Sequence, residues 1–402
     1  MEPKMEEPPR SAPALAASAA AISMVLGDYD LVTDILLRLA PSGCLSLVRA
    51  AAVCRLWLRA ASDPAFLRRF RDLLPRGLIG FYLTAFSESR SCWFVEFVPM
   101  QPHIPRRARF GLDGYASLSS RVVDCRDGRV VASLYRGGDF THGVHSPLDP
   151  AARGLDLDVF PPLPTEDTLM ARDCWIFKEF LSKGSGDGLS YIWFTLDYSH
   201  GNTATACVYT LQDDAWRMHS SASTQIDMLY SSPMKTMSIF LSDDKIYMGI
   251  TKKNILVLDL TSSTFFTIQF HAEMALGGEV RLARGDGSGV YLVHANELEL
   301  CIWLHRPGNG GVGDWSLLHT IYLSDMCANL KMPIEHGRTP VVYLHEVGNN
   351  AEFVFLEMCG WVLSLDVKTR ELKKVYEVPE KTGVGWIHPF VTKLAPTFPA
   401  LK

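Results

Sequence analysis

The sequence predicts an α+β chain of more than one domain: a small N-terminal unit of three short helices, followed by an all-β propeller of about six blades. Three observations predict it. Apolar residues recur at helical spacing only in the stretch 28–74. From Gly80 onward the pattern changes to alternation punctuated by turn residues. Across that second region one strand–turn–strand motif returns about every 50 residues.

The first helix lies in "DYDLVTDILLRLAPSG" (28–43), with Asp28 and Asp30 as cap candidates and Pro41 and Gly43 as stops. Leu31, Val32, Ile35, Leu36, Leu37 and Leu39 cover more than the single stripe an ordinary surface helix buries. A second helix is expected over "CLSLVRAAAVCRLWLRAA" (44–61), with Leu45, Val48, Ala52 and Cys54 near one face and Trp57 a turn beyond Val53. The third is "SDPAFLRRFRDLL" (62–74), where Asp63 caps and Pro64 takes the first helical position. Phe66 and Phe70 fall on one side of it. Three helices this short do not bury a stable core unaided, and no cysteine pair staples them. The spare apolar face needs the next domain or another protein, and the pattern favours neither. Ahead of the helices, residues 1–25 read as a disordered Ala/Pro-rich leader; a signal peptide would need a basic start, where this chain has Glu2, Glu6 and Glu7.

In the β region, "KIYMGITKKNILVLDLTSSTFFTIQF" (245–270) reads as three strands separated by polar turns. Its centre, "LVLDLTSSTFFTI" (256–268), aligns without gaps on "LSLDVKTRELKKV" (363–375), placing Asp259 on Asp366. "VYTLQDDAWRM" (208–218) aligns likewise, as does "CIWLHRPGNGGVGDWSLLHTI" (301–321) with a longer turn, and "HSPLDPAARGLDLDVF" (145–160) is a weaker copy. The anchors Leu155, Trp216, Phe265, Trp315 and Leu372 are 61, 49, 50 and 57 residues apart. That period, at about four strands per repeat, is the signature of propeller blades. The end strands "GLIGFYLTAF" and "GWIHPFVTKL" are expected to share a blade, closing the ring and removing free edges. The aromatic anchors read as core between blades. The loops 136–143, 197–202, 284–289 and 306–313 are long enough to form a binding face.

Composition excludes several classes. The chain has 402 residues, 48% hydrophobic and 21% charged, with net charge −5, so no global basic field points to nucleic acid. Residues 30–76 hold eight arginines against four aspartates, which reads as solvated helix faces, because no aromatic stacking pattern accompanies them. Nine cysteines stand singly, without a C-x-x-C, as buried thiols of a reducing compartment do. No run reaches membrane-spanning length. There is no G-x-S-x-G, H-E-x-x-H or glycine-rich phosphate loop. His142 and His145 lie close in sequence but lack ligand-spaced partners. Asp213-Asp214 and Asp243-Asp244 sit where turns favour Asp.

Residues 26–70 resemble an F-box. Leu26, Leu31, Asp34-Ile35-Leu36, Arg38-Leu39, Pro41, Val53-Cys54-Arg55, Trp57 and Ser62-Asp63-Pro64-Ala65-Phe66 follow the family's order. The chain departs at Gly27, where a proline is usual, and at Ala40, which separates Leu39 from Pro41. The arrangement resembles the large plant F-box families, and "VVDCRDGRVVASL" (122–134) resembles their F-box-associated propeller. The resemblance implies a substrate-receptor subunit of an SCF-type ubiquitin ligase. The helical unit would dock on a Skp-type adaptor, and through it on the cullin-RING ligase, while the propeller holds a target protein. By motif position, Leu31, Ile35, Leu36, Leu39, Pro41 and Val53 are expected at or under the adaptor surface, and Leu45 and Val48 of the second helix with them. Cys54, Trp57, Phe66 and Phe70 are expected in the core of the helices. The same reading implies no catalytic residue, cofactor, metal, nucleic acid or membrane, and a place in the nucleus or cytoplasm. The rival readings are an F-box scaffold acting outside the ligase and a propeller-fold enzyme.

Overall fold

The computed structural model describes residues 24–40, 44–73, 77–101, 110–112, 115, 119–136, 138–148, 157–164, 175–185, 188–199, 203–226, 238–249, 254–271, 278–307, 313–332 and 340–392. The chain divides into two compact units, Met1–Gly77 with Val391–Lys402, and Leu78–Phe390. The leader expected over 1–25 lies outside the described residues as far as residue 23, and Met24–Gly27 form one helical turn.

The first unit holds four helices between Tyr29 and Leu73. They are α1 (Tyr29–Leu37), α2 (Cys44–Ala51), α3 (Arg55–Ser62) and α4 (Pro64–Leu73). Asp28 caps α1, its Oδ1 accepting from the Asp30 and Leu31 amides at 2.9 and 3.0 Å. Asp63 caps α4 through the Phe66 amide at 2.8 Å, with Pro64 in the first turn as the sequence predicts. The expected second helix is broken at Ala52–Cys54 into α2 and α3. The reason is phase. In an unbroken helix, Leu47, Ala50 and Ala51 would point roughly 80° away from Ala60 and Ala61 at 3.6 residues per turn. The break turns both sets into one core with Val32, Leu36, Leu37, Phe66 and Phe70. Phe66 and Phe70 stack with centroids 5.6 Å apart.

The second unit is a six-bladed propeller. Blade 1 has three strands, with β1 (Gly77–Ser87) between β2 (Cys92–Pro99) and β23 (Thr382–Thr392). The two ends of the β region therefore share a sheet, as the end-strand patterns predict, and close the ring. Blade 2 holds β3 (Ser119–Arg126), β4 (Arg129–Arg136), β5 (Asp139–His145) and β6 (Asp158–Val159). Blade 3 holds β7 (Trp175–Ser185), β8 (Gly188–Ser199), β9 (Thr203–Gln212) and β10 (Ala215–Gln225). Blade 4 holds β11 (Ile239–Ser242), β12 (Lys245–Met248), β13 (Asn254–Asp259) and β14 (Thr264–Gln269). Blade 5 holds β15 (Glu279–Arg284), β16 (Val290–Asn296), β17 (Glu299–Arg306) and β18 (Asp314–Tyr322). Blade 6 holds β19 (Tyr343–Val347), β20 (Phe353–Met358), β21 (Trp361–Asp366) and β22 (Glu371–Glu377). A short helix, α5 (Leu323–Asn329), follows blade 5.

The repeat has a structural meaning. Trp216, Phe265, Trp315 and Leu372 each occupy the second position of the fourth strand of a blade. Each packs into the core shared with the preceding blade. Trp216 Nε1 also donates to Pro161 O at 3.1 Å, and Trp315 Nε1 to Gln269 O at 2.7 Å. Leu155 falls outside the described residues. The repeated aspartate is a turn lock: Asp259 accepts from the Thr261 and Ser262 amides, and Asp366 from the Thr369 amide. Asp213-Asp214, Asp243-Asp244, Asp127-Gly128 and Cys359-Gly360 all have positive φ at both positions. That is the geometry two-residue hairpins need, so these aspartates serve turns as expected.

Candidate functional site

The helical unit shows which apolar residues its own core does not use. Leu31 is 45% exposed, Val48 43% and Val53 66%, beside the exposed Tyr29. Ile35 and Leu39 are half-buried. Leu36, expected at or under the adaptor surface, is 0% exposed and belongs to the core. Pro41 and the side chain of Leu45 lie outside the described residues. Among the expected core residues, Phe66 and Phe70 are buried and Trp57 is half-buried against the cluster. Cys54 is exposed instead, because it sits in extended conformation at the break before α3, where its side chain meets no core stripe. The unit is thus filled from within and still presents Leu31, Val48 and Val53 outward.

In the propeller, topology sorts the candidate loops. The segment 284–289 joins the first and second strands of blade 5, and 306–313 its third and fourth. The segments 136–143 and 197–202 join second and third strands, so they lie at the opposite end, with the blade-to-blade crossovers. The four loops therefore do not form one face. Residues 137, 200–202 and 308–312 are outside the description. Exposed Phe140, Val159, Tyr322 and Val341 all belong to the crossover end.

The first strands of blades 2 to 6 lie against one another in sequence and surround the central channel. Each carries one unpaired strand edge, and neighbouring blades cover those edges with polar side chains. Arg126 donates to Ser182 O, Arg284 to Leu241 O, and Arg281 Nε to His345 O at 3.1 Å. Lys183 pairs with Asp244, and Asn350 exchanges hydrogen bonds with Asp286 at 2.8 and 3.0 Å. Among these groups stand three carboxylates from three blades: Asp124 on β3, Glu179 on β7 and Glu346 on β19.

Their environments are alike. Ser182 Oγ donates to Asp124 Oδ2 at 2.6 Å, and the Cys125 amide to Oδ1 at 2.8 Å. Burial nevertheless pushes the Asp124 carboxyl above the usual range, against the pull of Ser182 and Arg126. Burial pushes Glu179 up to about 8, with the Asp124 and Glu346 charges adding to it and Arg121 opposing. Burial pushes Glu346 up to about 7, with Arg281 and the Val347 amide opposing. Two histidines near them stay neutral. Burial and the Arg121 charge lower His388 to about 4, although its ring N–H donates to Val122 O. Burial, Arg121 and Lys178 lower His142 to about 4. Arg121 itself lies over the Trp386 ring, 5.6 Å from the centroid.

No motif in the sequence marks this group. Its signal was faint but present: charged residues inside apolar inner strands, in "RVVDCR", "FKEFL", "VRLAR" and "YLHEV". Among the described residues no group of three or more His, Cys, Asp or Glu could hold a metal ion. Nor is any described helix long and apolar enough to cross a membrane.

A family model described as "F-box protein AT5G49610-like, beta-propeller" matches residues 121–398. No curated protein matches. Solved structures match at low identity and low overlap. Apo AztD from Citrobacter koseri is 8% identical, with 78% of this chain and 98% of that one covered, at TM-score 0.35. Apocarotenoid oxygenase from Synechocystis is 9% identical, with 78% of each chain covered, at TM-score 0.35. Sqt1 from Saccharomyces cerevisiae is 10% identical, with 64% of this chain and 60% of that one covered, at TM-score 0.32. This chain thus spans less than two thirds of Sqt1, and overlaps at this level carry no functional argument.

Proposed function

The chain belongs to the F-box protein AT5G49610-like β-propeller family, and from that premise we propose that it is the substrate-receptor subunit of an SCF-type ubiquitin ligase. Its helical unit is an F-box that docks on a Skp-type adaptor, and its propeller holds the target. The observation that carries this reading is the outward apolar set Leu31, Val48 and Val53, on a unit whose core is already filled. Isolated exposed apolar residues are ordinary, but three on a unit this small, two of them (Leu31 and Val53) at motif positions of the family, suit a docking face. The receptor does no covalent chemistry. It raises the effective concentration of a target lysine near a charged ubiquitin-conjugating enzyme.

The test is co-expression with a Skp-type adaptor and size-exclusion chromatography. The full chain is expected to elute as a one-to-one complex. The double substitution Leu31→Asp and Val53→Asp is expected to abolish that complex while the propeller keeps its thermal transition. A double variant that still co-elutes stoichiometrically ends the assignment. Leu36→Asp is no substitute, since burying a charge in the core unfolds the helices whether or not a partner exists.

A further inference from the structure

We propose that β14, the outer strand of blade 4, is a self-association edge: it pairs antiparallel with β14 of a second copy of this chain, with Phe266 opposite Phe266 on the two-fold axis. An outer strand leaves one row of main-chain groups unpaired, and folded proteins blunt such edges by brevity, bulges, charges or a cover. The other outer edges of this propeller each carry such a device. β6 is two residues long. His219 interrupts the register of β10, which also carries Arg217. Leu318 interrupts that of β18, and Arg370 of blade 6 donates to its Thr320 O at 3.1 Å. Val375 interrupts that of β22, which carries Glu371, Lys373, Lys374 and Glu377. β2, at the edge of blade 1, has no exposed residue. β14 has none of these devices. Its register on β13 runs unbroken from Thr264 to Gln269. No charge stands anywhere from Leu260 to Phe270. Thr264, Phe266, Thr267 and Gln269 are exposed, Phe266 by 41%.

Hydrogen bonding decides which groups of β14 are free. Leu260 N donates to Asp244 O at 2.9 Å, so on β13 Leu260, Leu258 and Leu256 bond to β12, and Asp259, Val257 and Ile255 bond to β14. On β14 the main-chain groups of Thr264, Phe266 and Ile268 are therefore spent on β13, and those of Phe265, Thr267 and Gln269 point outward. Trp315 Nε1 takes Gln269 O at 2.7 Å. Among the described residues nothing takes the outward groups of Phe265 or Thr267.

Of the self-pairings that this parity allows, one uses both free residues on both copies. Phe265 of each copy meets Thr267 of the other, making about four main-chain hydrogen bonds in all. Phe266 then lies opposite Phe266, in the non-hydrogen-bonded pair where cross-strand side chains come closest. Phe266 stands on the side of blade 4 that faces blade 5, across from Val257 of their shared core. Leu317, 47% exposed, stands two residues after Trp315 on the side of blade 5 that faces blade 4. The paired rings thus lie along the mouth of an apolar seam in each copy. The occupant is a second copy because the strand suits its own twin: it brings no charge to repel, and under a two-fold axis it meets each exposed ring with another.

The pairing needs neither adaptor nor target, so its failure leaves the ligase reading as it stands. The experiment uses the full chain alone. Light scattering behind size-exclusion chromatography, loaded at about 1 to 200 µM, is expected to show the mass rising from one chain to two, as a short interface dictates. A chain that stays monomeric throughout overturns the proposal and leaves the edge to a strand of another protein. Thr267→Pro removes an outward N–H that the fold does not use, and Phe266→Lys sets like charges opposite each other. Each is expected to weaken the dimer by about tenfold or more and to leave the thermal midpoint of the dilute chain unchanged. A dimer that both variants leave intact overturns the β14 interface. Phe266→Cys sets two thiols opposite each other and is expected to give a band of twice the chain mass on a non-reducing gel after treatment with oxidised glutathione. Thr264→Cys, which would face Ile268, is the control beside the wild type. No band from Phe266→Cys, or equal bands from all three proteins, overturns the pairing.

Discussion

Single residues decide which surface of the helical unit is free. Val53 and Phe70 are 17 positions apart and both apolar, yet Val53 is 66% exposed and Phe70 0%. They predict opposite phenotypes. Phe70→Ala should cost about 3–5 kcal/mol and melt the helical unit, visible as loss of helical circular dichroism with the propeller transition unchanged. Val53→Asp should leave that signal intact and act only on binding. Asp63 carries a smaller, separable role. Removing its cap with Asp63→Ala should lower the stability of the helical unit by about 1 kcal/mol in a denaturant titration.

Among elements, the fourth strand in each of blades 3 to 6 does the joining. Its second residue is apolar and large, packs on the preceding blade, and in two blades adds an indole hydrogen bond. Trp315→Phe keeps most of the apolar contact and removes the bond to Gln269 O, so it should destabilise the propeller by about 1 kcal/mol. The same substitution at Trp216 should cost a similar amount through Pro161 O. Urea midpoints for the two variants, compared with the double variant, would show additivity, since the sites belong to different blades. The hairpins add a backbone requirement. Gly360 has open space around an added Cβ but a φ of 75°, so its constraint is conformational and not steric.

At the scale of the molecule, the ring is closed by strands from both ends of the β region. β23 arrives some 300 residues after β1 and pairs with it. Deleting residues 382–402 strips blade 1 to a two-stranded hairpin and leaves two unclosed edges. Such a hairpin is not independently stable. The truncated chain should therefore elute as aggregate in size-exclusion chromatography, and the full chain as a monodisperse peak. The channel belongs to this scale too, because no blade by itself brings Asp124, Glu179 and Glu346 together.

Local pattern was enough for much of this protein. Alternation and turn residues placed the strands of 245–270, Asp63-Pro64 placed the start of α4, and the recurring Trp216, Phe265, Trp315 and Leu372 placed the blade period. These features depend on neighbours within a strand or a turn, so period and propensity carry them. The break between α2 and α3 was not legible, because it answers to a core assembled from four helices. Exposure of Cys54 and burial of Leu36 follow from that same packing. Nor could the chain itself say that loops 136–143 and 284–289 lie at opposite ends, since that depends on strand order within each sheet. The channel carboxylates are the clearest case. Along the chain they are carboxylates 55 and 167 residues apart. Only closure of the ring gathers their strands around one channel and partly desolvates them, and desolvation by distant parts of the chain is a property of the tertiary structure alone.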